Sequence, residues 1–256
     1  MKQHTAELYS WEKSGVRLHY ITDLATAERE VSRLRPGPLG FDMEWKPMKY
    51  KGQQANPVAL IQLASRGTIL LIQTFSPTTP SEVFPQKLRD MLGDREYIKA
   101  GAGIQGDCKK LWEDYRVVTR NCVDLGLLAR NADSTRWEGS PYPDPLGLAN
   151  LCTIYTGFSL EKDRSVQLSN WEAKLNEEQQ NYAANDCHSG LKIYKKLSAL
   201  MSGISPRPSP DLYSFDYPLQ YTLETSPSLG SCTAIGLLVL LASVLVFVAQ
   251  HITRGE

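Results

Sequence analysis

No Cys-x-x-Cys pair occurs in this chain: its five cysteines, Cys108, Cys122, Cys152, Cys187 and Cys232, are scattered and odd in number. That spacing argues against a zinc knuckle or a disulfide framework and suits a reducing compartment. Net charge is also lacking. The 28 Lys and Arg residues balance 28 Asp and Glu, so no global positive field draws the chain to nucleic acid, and any such attraction must come from local patches. The first thirty residues lack the apolar core of a signal peptide, because Glu7, Glu12, Lys13 and Arg17 interrupt it. No internal repeat stands out.

What is present starts with length. With 256 residues, 42% of them hydrophobic and 22% charged, the chain has the composition of an ordinary globular protein and ample material for a core. One apolar run is long: residues 232–249 are uncharged and broken only by Thr233, Gly236 and Ser243. As a helix it would span about 27 Å, close to the ~30 Å hydrocarbon core. The alternative is a buried core helix, which usually carries a polar stripe. We therefore expect a single transmembrane tail anchor over residues 232–250, with the larger N-terminal part facing the cytosol. The segment beyond it sets Arg254 against Glu256 and lacks a basic cluster, which favours the endoplasmic reticulum or nuclear envelope over the mitochondrial outer membrane. Cys232 at the border is a candidate for acylation.

Residues 1–15 read as a lead-in. Strand patterns cover residues 16–21, 39–45, 58–64, 68–73 and 97–100; helical patterns cover 23–34, 82–92, a segment opened by the small-residue turn 101–107 and running to about 115, 122–129, 146–155 and 176–200. Interleaved in this way, they predict a mixed α/β domain over residues 16–200. The Ser- and Pro-rich stretch 201–231 has no periodicity and reads as a linker.

The chain is organised around Leu39-Gly40-Phe41-Asp42-Met43-Glu44-Trp45. Successive side chains of a strand alternate in direction, so Asp42 and Glu44 share one face while Phe41 and Met43 pack on the other. Two adjacent acids on an apolar strand require a compensating cation or a proton, unless the face is simply solvated. A third acid, Asp107, opens a helix behind the small-residue turn Gly101-Ala102-Gly103, where a metal or phosphate can approach the backbone. The fourth, Asp186, lies one helical turn after Tyr182 and on the same face. Singly, Asp107 reads as an N-cap and Tyr182 as a core aromatic. Together, four acids match two divalent cations, and hard oxygen ligands select Mg²⁺ or Mn²⁺.

The sequence resembles the DEDDy 3′–5′ exonucleases of the ribonuclease D group, and most of all the Werner-type exonuclease domain. The resemblance is carried by Gly40-Phe41-Asp42-Met43-Glu44-Trp45, Val58-Ala59-Leu60-Ile61-Gln62-Leu63, Lys99-Ala100-Gly101-Ala102-Gly103-Ile104-Gln105-Gly106-Asp107, Ser169-Asn170-Trp171 and Tyr182-Ala183-Ala184-Asn185-Asp186. Asn181 stands where a sister subfamily has histidine. The resemblance implies a ribonuclease H-like mixed sheet flanked by helices, and two-metal hydrolysis of nucleic acid from the 3′ end. By carry-over, Asp42, Glu44, Asp107 and Asp186 hold the metals, Tyr182 positions the attacking water, and the products are nucleoside 5′-monophosphates. Trp45 is a base-stacking or a core residue; Lys46, with Lys49 and Lys51, contacts phosphate or merely solvates a loop; Trp171 borders the substrate or shapes the floor of the site; His188 is structural. The implied partners are DNA or RNA 3′ ends and, through the tail, a membrane, with no obligate protein partner evident. The alternative is a catalytically inactive nucleic-acid-binding or scaffold protein of the same fold.

Overall fold

A strand covered on both faces has little use for alternation, and the run Val58–Ala64 is buried along its whole length. It lies inside a seven-stranded sheet. The structure is a computed structural model that describes residues 6–50, 52–75, 84–139 and 146–218. The strands are β1 (Arg17–Ile21), β2 (Gly37–Trp45), β3 (Val58–Ala64), β4 (Thr68–Gln73), β5 (Tyr97–Gly101), β6 (Thr119–Asp124) and β7 (Ser214–Tyr217). Their order across the sheet is β1-β4-β3-β2-β5-β6-β7. β2, β3 and β4 form an antiparallel meander, whereas β1 joins β4, and β5 joins β2 and β6, in parallel.

Helices α1 (Leu24–Ser32), α2 (Gln86–Leu92), α3 (Ile104–Tyr115), α4 (Leu125–Ala132), α5 (Ser134–Trp137), α6 (Leu148–Thr156), α7 (Arg164–Gln167) and α8 (Glu177–Met201) surround the sheet. Alternation along β2 and β3 sorts the core. Phe41, Met43, Ile61 and Leu63 pack with Leu88, Ile104, Cys108 and Leu111 of α2 and α3. On the opposite face, Leu60, Ala64, Ile69 and Leu71 pack with Ala183, Ala184, Cys187 and Leu191 of α8. Each fully buried Leu or Ile contributes about 1.5–3 kcal/mol of transfer free energy. α8 starts on a capping box, in which Asn176 and Gln179 satisfy each other's backbone N–H.

Three expected elements differ. Residues 122–129 read as helix, but Cys122 and Val123 pair with Lys99 and Ala100 as strand, and the Asp124 side chain caps α4 by accepting from Leu127 N–H. Linker character was expected from residue 201 onward, yet Phe215 pairs with Cys122 and Tyr217 with Thr119 in β7; the alternating aromatics Tyr213, Phe215 and Tyr217 outweigh the Ser/Pro composition. The lead-in is tied down as well. Tyr9 N–H donates to the Ser159 carbonyl, Trp11 N–H to Asn185 Oδ1 and Trp11 Nε1 to Asn181 Oδ1.

The expected fold class requires one correction, because it included a transmembrane helix. Among the described residues no helix is long and apolar enough to cross a membrane, and α8, the longest, buries its apolar positions against the sheet. Over the described residues the fold is the helix-flanked mixed sheet; the expected segment 232–250 lies outside them.

Lys99 of β5 is fully buried, with its ammonium donating to the carbonyls of Asp94 and Tyr97 at 2.8 and 2.6 Å. Burial disfavours the charge and brings its pKa down to about 8. The cost of burying the ammonium is complete below pH 8 and is relieved between pH 8 and the unfolded value near 10.5, where the unfolded chain holds more protons. Denaturant titrations should therefore show the stability of the wild type, relative to Lys99→Met, rising by about 3 kcal/mol across that window. A pH-independent difference would refute it.

Candidate active site

Gly40, Asp42 and Glu44 alternate toward the same face of β2, the face covered by α8. The approach there is close. A Cβ on Gly40 would overlap the carbonyl oxygen of Cys187 and lie 2.8 Å from Leu191 N. That contact brings β2 against the turn of α8 that carries Asp186, with Tyr182 one turn earlier on the same side. Asp107 arrives from the carboxyl end of β5, through the turn between β5 and α3. Asp124 holds this turn by accepting from Gly103 N–H at 2.9 Å while its other oxygen caps α4.

Electrostatics show how near these acids are to one another. Glu44 is pushed up to about 10, by burial first and then by Asp42, Asp186 and Asp107. Asp186, 2% exposed, rises to about 7 through burial, with the nearby Lys162 opposing and Asp42 reinforcing the shift. Burial, with Asp42 and Asp124 as further causes, holds Asp107 well above the usual carboxylate range. Asp42 is also raised by burial, although Lys162 and a 2.8 Å hydrogen bond from Met43 N–H pull it back. Tyr182 is raised through burial and then Asp186, Glu44 and Asp42, so its hydroxyl keeps its proton. All five residues thus share one electrostatic centre. Beside it lies a cavity of about 240 Å³ whose lining includes Asp42, Gly101, Gly103, Lys162, Asp186 and Gly190.

Lys162 is the residue that sequence reasoning missed. Its ammonium lies 2.6 Å from Asp186 Oδ2, 3.5 Å from the Tyr182 hydroxyl and 5.1 Å from the centre of the Tyr182 ring. It belongs to the charged run Glu161-Lys162-Asp163-Arg164 that leads from α6 into α7, where nothing in the spacing marks which charge points inward.

The candidate substrate residues divide differently. Trp45 packs with the Phe41 and Met43 layer, with the Lys110 ammonium 5.1 Å from its ring centre; it lies across the strand from the acids. Of the two readings of Trp171, bordering the substrate or shaping the floor of the site, its burial fits the second. It has no exposed surface, donates from Nε1 to the Gln167 carbonyl, and supports Tyr182 at a ring separation of 6.0 Å. Lys46 is half-buried and paired with Glu172 at 3.0 Å. His188 is buried and hydrogen-bonded to Tyr9.

Among the described residues no group of three or more His, Cys, Asp or Glu side chains is placed so as to hold a metal ion. The donor set nonetheless suits a hard divalent cation: four carboxylates crowd together, and Asp186 Oδ1 is buried without a hydrogen-bond partner. Acidic side chains converging beside neighbouring strands of a helix-flanked mixed sheet fit a ribonuclease H-like fold with a carboxylate centre.

The profile of the 3′–5′ exonuclease family matches residues 18–202, and the chain belongs to that family. It is 36% identical over 197 residues to the Mus musculus bifunctional 3′-5′ exonuclease/ATP-dependent helicase WRN, a match covering 75% of this chain and 13% of that protein. Against the Homo sapiens exonuclease 3′-5′ domain-containing protein 2 it is 31% identical, covering 73% of this chain and 30% of the relative. The chain therefore spans less than a third of the length of these curated relatives. Among solved structures, the Aedes aegypti Nibbler EXO domain aligns at TM-score 0.57 and 26% identity, covering 82% of this chain and 97% of that one. The Trypanosoma brucei RNase D complex with RNA U12 aligns at TM-score 0.59 and 18% identity, over 77% and 68%, and supports the fold alone.

Proposed function

We propose that this domain hydrolyses nucleic acid from the 3′ end and releases nucleoside 5′-monophosphates. The observation carrying this reading is that Asp42, Glu44, Asp107 and Asp186, from three distant segments, are all raised by burial, and that Asp42 further raises the other three. Such crowding disfavours the folded state unless cations or protons offset it. Two divalent cations, Mg²⁺ or Mn²⁺, held by these four carboxylates would supply an activated water and charge stabilisation of the leaving 3′-oxygen.

The chain's own residues do the rest. Tyr182 retains its proton and so orients the attacking water through its hydroxyl without acting as a base. Trp171 behind its ring limits the positions that hydroxyl can take. Lys162 neutralises Asp186 in the absence of other cations and presents an ammonium to the phosphate when Asp186 is engaged elsewhere. Incubating the purified chain with matched DNA and RNA oligonucleotides and either metal should yield mononucleotides that co-elute with 5′-monophosphate standards. Products bearing 3′-phosphates would exclude the reading. Lys162→Met should lower kcat/KM about tenfold and move the acidic limb of the pH–rate profile upward, because Asp186 loses its counter-charge. An unshifted limb would remove Lys162 from the mechanism.

The inactive-scaffold reading draws on the same ion pair, since Lys162 already occupies one oxygen of Asp186. Calorimetric titration with Mn²⁺ separates the two. A saturable heat that is lost in Asp42→Asn supports the hydrolase, and a featureless titration supports the scaffold.

A further inference from the structure

Two clefts, one of them at the start of β2, are basic despite the chain's zero net charge. The first, of about 630 Å³, is lined by Arg17, Arg35, Arg66 and Lys195 together with the start of β2. The second, of about 590 Å³, is lined by Lys192, Lys195 and Lys196 and by the rings of Tyr9, Tyr155 and Phe158. Lys195 lines both, so the clefts adjoin. Among the described residues none of these cations lies within ion-pair distance of a carboxylate. Glu30, the acid that lines the first cleft, is already held by Arg29 and Arg33. The cations also crowd one another: Lys195 is held down by burial and then by the charges of Lys192 and Arg66.

A surface with this much like charge and so few local counter-ions fits a polyanion. The reach is suitable for the substrate of the proposed exonuclease. Gly37 is five strand positions from Asp42, about 17 Å, and Lys195 is nine helical positions from Asp186, about 13 Å. At about 3.4 Å per nucleotide of duplex this corresponds to roughly four or five nucleotides from the reacting end. Tyr9 and Phe158, edge-to-face at 6.2 Å, add aromatic surface on which bases stack.

Building on that reading of the carboxylate centre, we infer that Arg17, Arg35, Arg66, Lys192, Lys195 and Lys196 form a second nucleic-acid contact, which grips the phosphate backbone upstream of the 3′ end. It makes the enzyme selective for length. Oligonucleotides too short to reach it lose binding energy, and longer ones gain salt-sensitive affinity without any change at the acids.

The test uses the full chain carrying Arg35→Gln, Arg66→Gln and Lys195→Gln together, all at exposed positions. kcat/KM is measured on a long oligonucleotide and on a trinucleotide, with binding of the long one followed by anisotropy in a salt series. The ratio of long to short kcat/KM should fall about tenfold or more, and the salt slope should decrease by roughly 2–3. A long-to-short ratio equal to that of the wild type overturns the inference. So does loss of binding to phosphatidylserine vesicles while oligonucleotide binding stays intact, which would assign the surface to a membrane. If the wild type degrades neither substrate, the exonuclease reading itself has failed; if it degrades both and the triple variant matches it, only this surface is refuted.

Discussion

Asp42→Asn should reduce hydrolysis by at least about 10³-fold and at the same time raise the melting temperature in metal-free buffer. The two effects have one origin. Asp42 adds to the raised proton affinity of Glu44, Asp107 and Asp186, so it is the carboxylate through which the others are coupled. Removing its charge takes away one of the carboxylates that would hold the proposed cations, and charge-stabilising groups of this kind contribute about 10²–10³ each. Without metal the same removal relieves repulsion in a poorly solvated recess. A gain of 1–2 kcal/mol corresponds to roughly 2–8 °C for a domain of this size. Differential scanning calorimetry in chelator, paired with single-turnover kinetics, measures both. A variant that is less active and also less stable would indicate simple damage to the fold, and would count against the acidic centre.

Gly40→Ala carries the largest predicted structural cost. The added methyl would overlap a backbone carbonyl of α8 and crowd the amide of Leu191, and neither can move without displacing the helix from the sheet. Overpacking against side chains typically costs 1–3 kcal/mol; against rigid backbone we expect about 4 kcal/mol and a fall of roughly 10 °C in Tm. Activity should fall with it, because the displaced helix carries Tyr182 and Asp186. Gly139→Ala, at a glycine with no neighbour within 4 Å of an added Cβ but with φ of +72°, should cost only about 1 kcal/mol. Equal losses at both positions would mean that the close approach of β2 to α8 does not set the value at Gly40.

Much of this arrangement was legible from local chemistry. Asp42 and Glu44 alternate with large apolar residues, Tyr182 and Asp186 are one turn apart, and Asp107 follows a run of small residues, so each announces its direction through strand or helix period. The hairpin of β3 and β4 was readable for the same reason. Lys162 was not, because an irregular loop has no period from which to infer direction. Nor were the burial of Trp171 and the orientation of Trp45, since an aromatic beside a motif looks alike whether it faces ligand or core. β6 was hidden because Cys122-Val123-Asp124 runs straight into a helix, and β7 because prolines and serines around it mask three alternating aromatics. The basic clefts needed the fold outright: Arg17, Arg35, Arg66 and Lys195 come from four separate segments that meet only when β1, β2, the β3–β4 turn and α8 are assembled.

The most direct test follows a 5′-labelled oligonucleotide incubated with the wild-type chain and Mg²⁺ or Mn²⁺, beside the same oligonucleotide blocked at its 3′ end. The account predicts a ladder of labelled products that shortens one nucleotide at a time from the free 3′ end, and no ladder from the blocked one. Release of the label as a mononucleotide at the outset, or an intact oligonucleotide with either metal on both DNA and RNA, would contradict it.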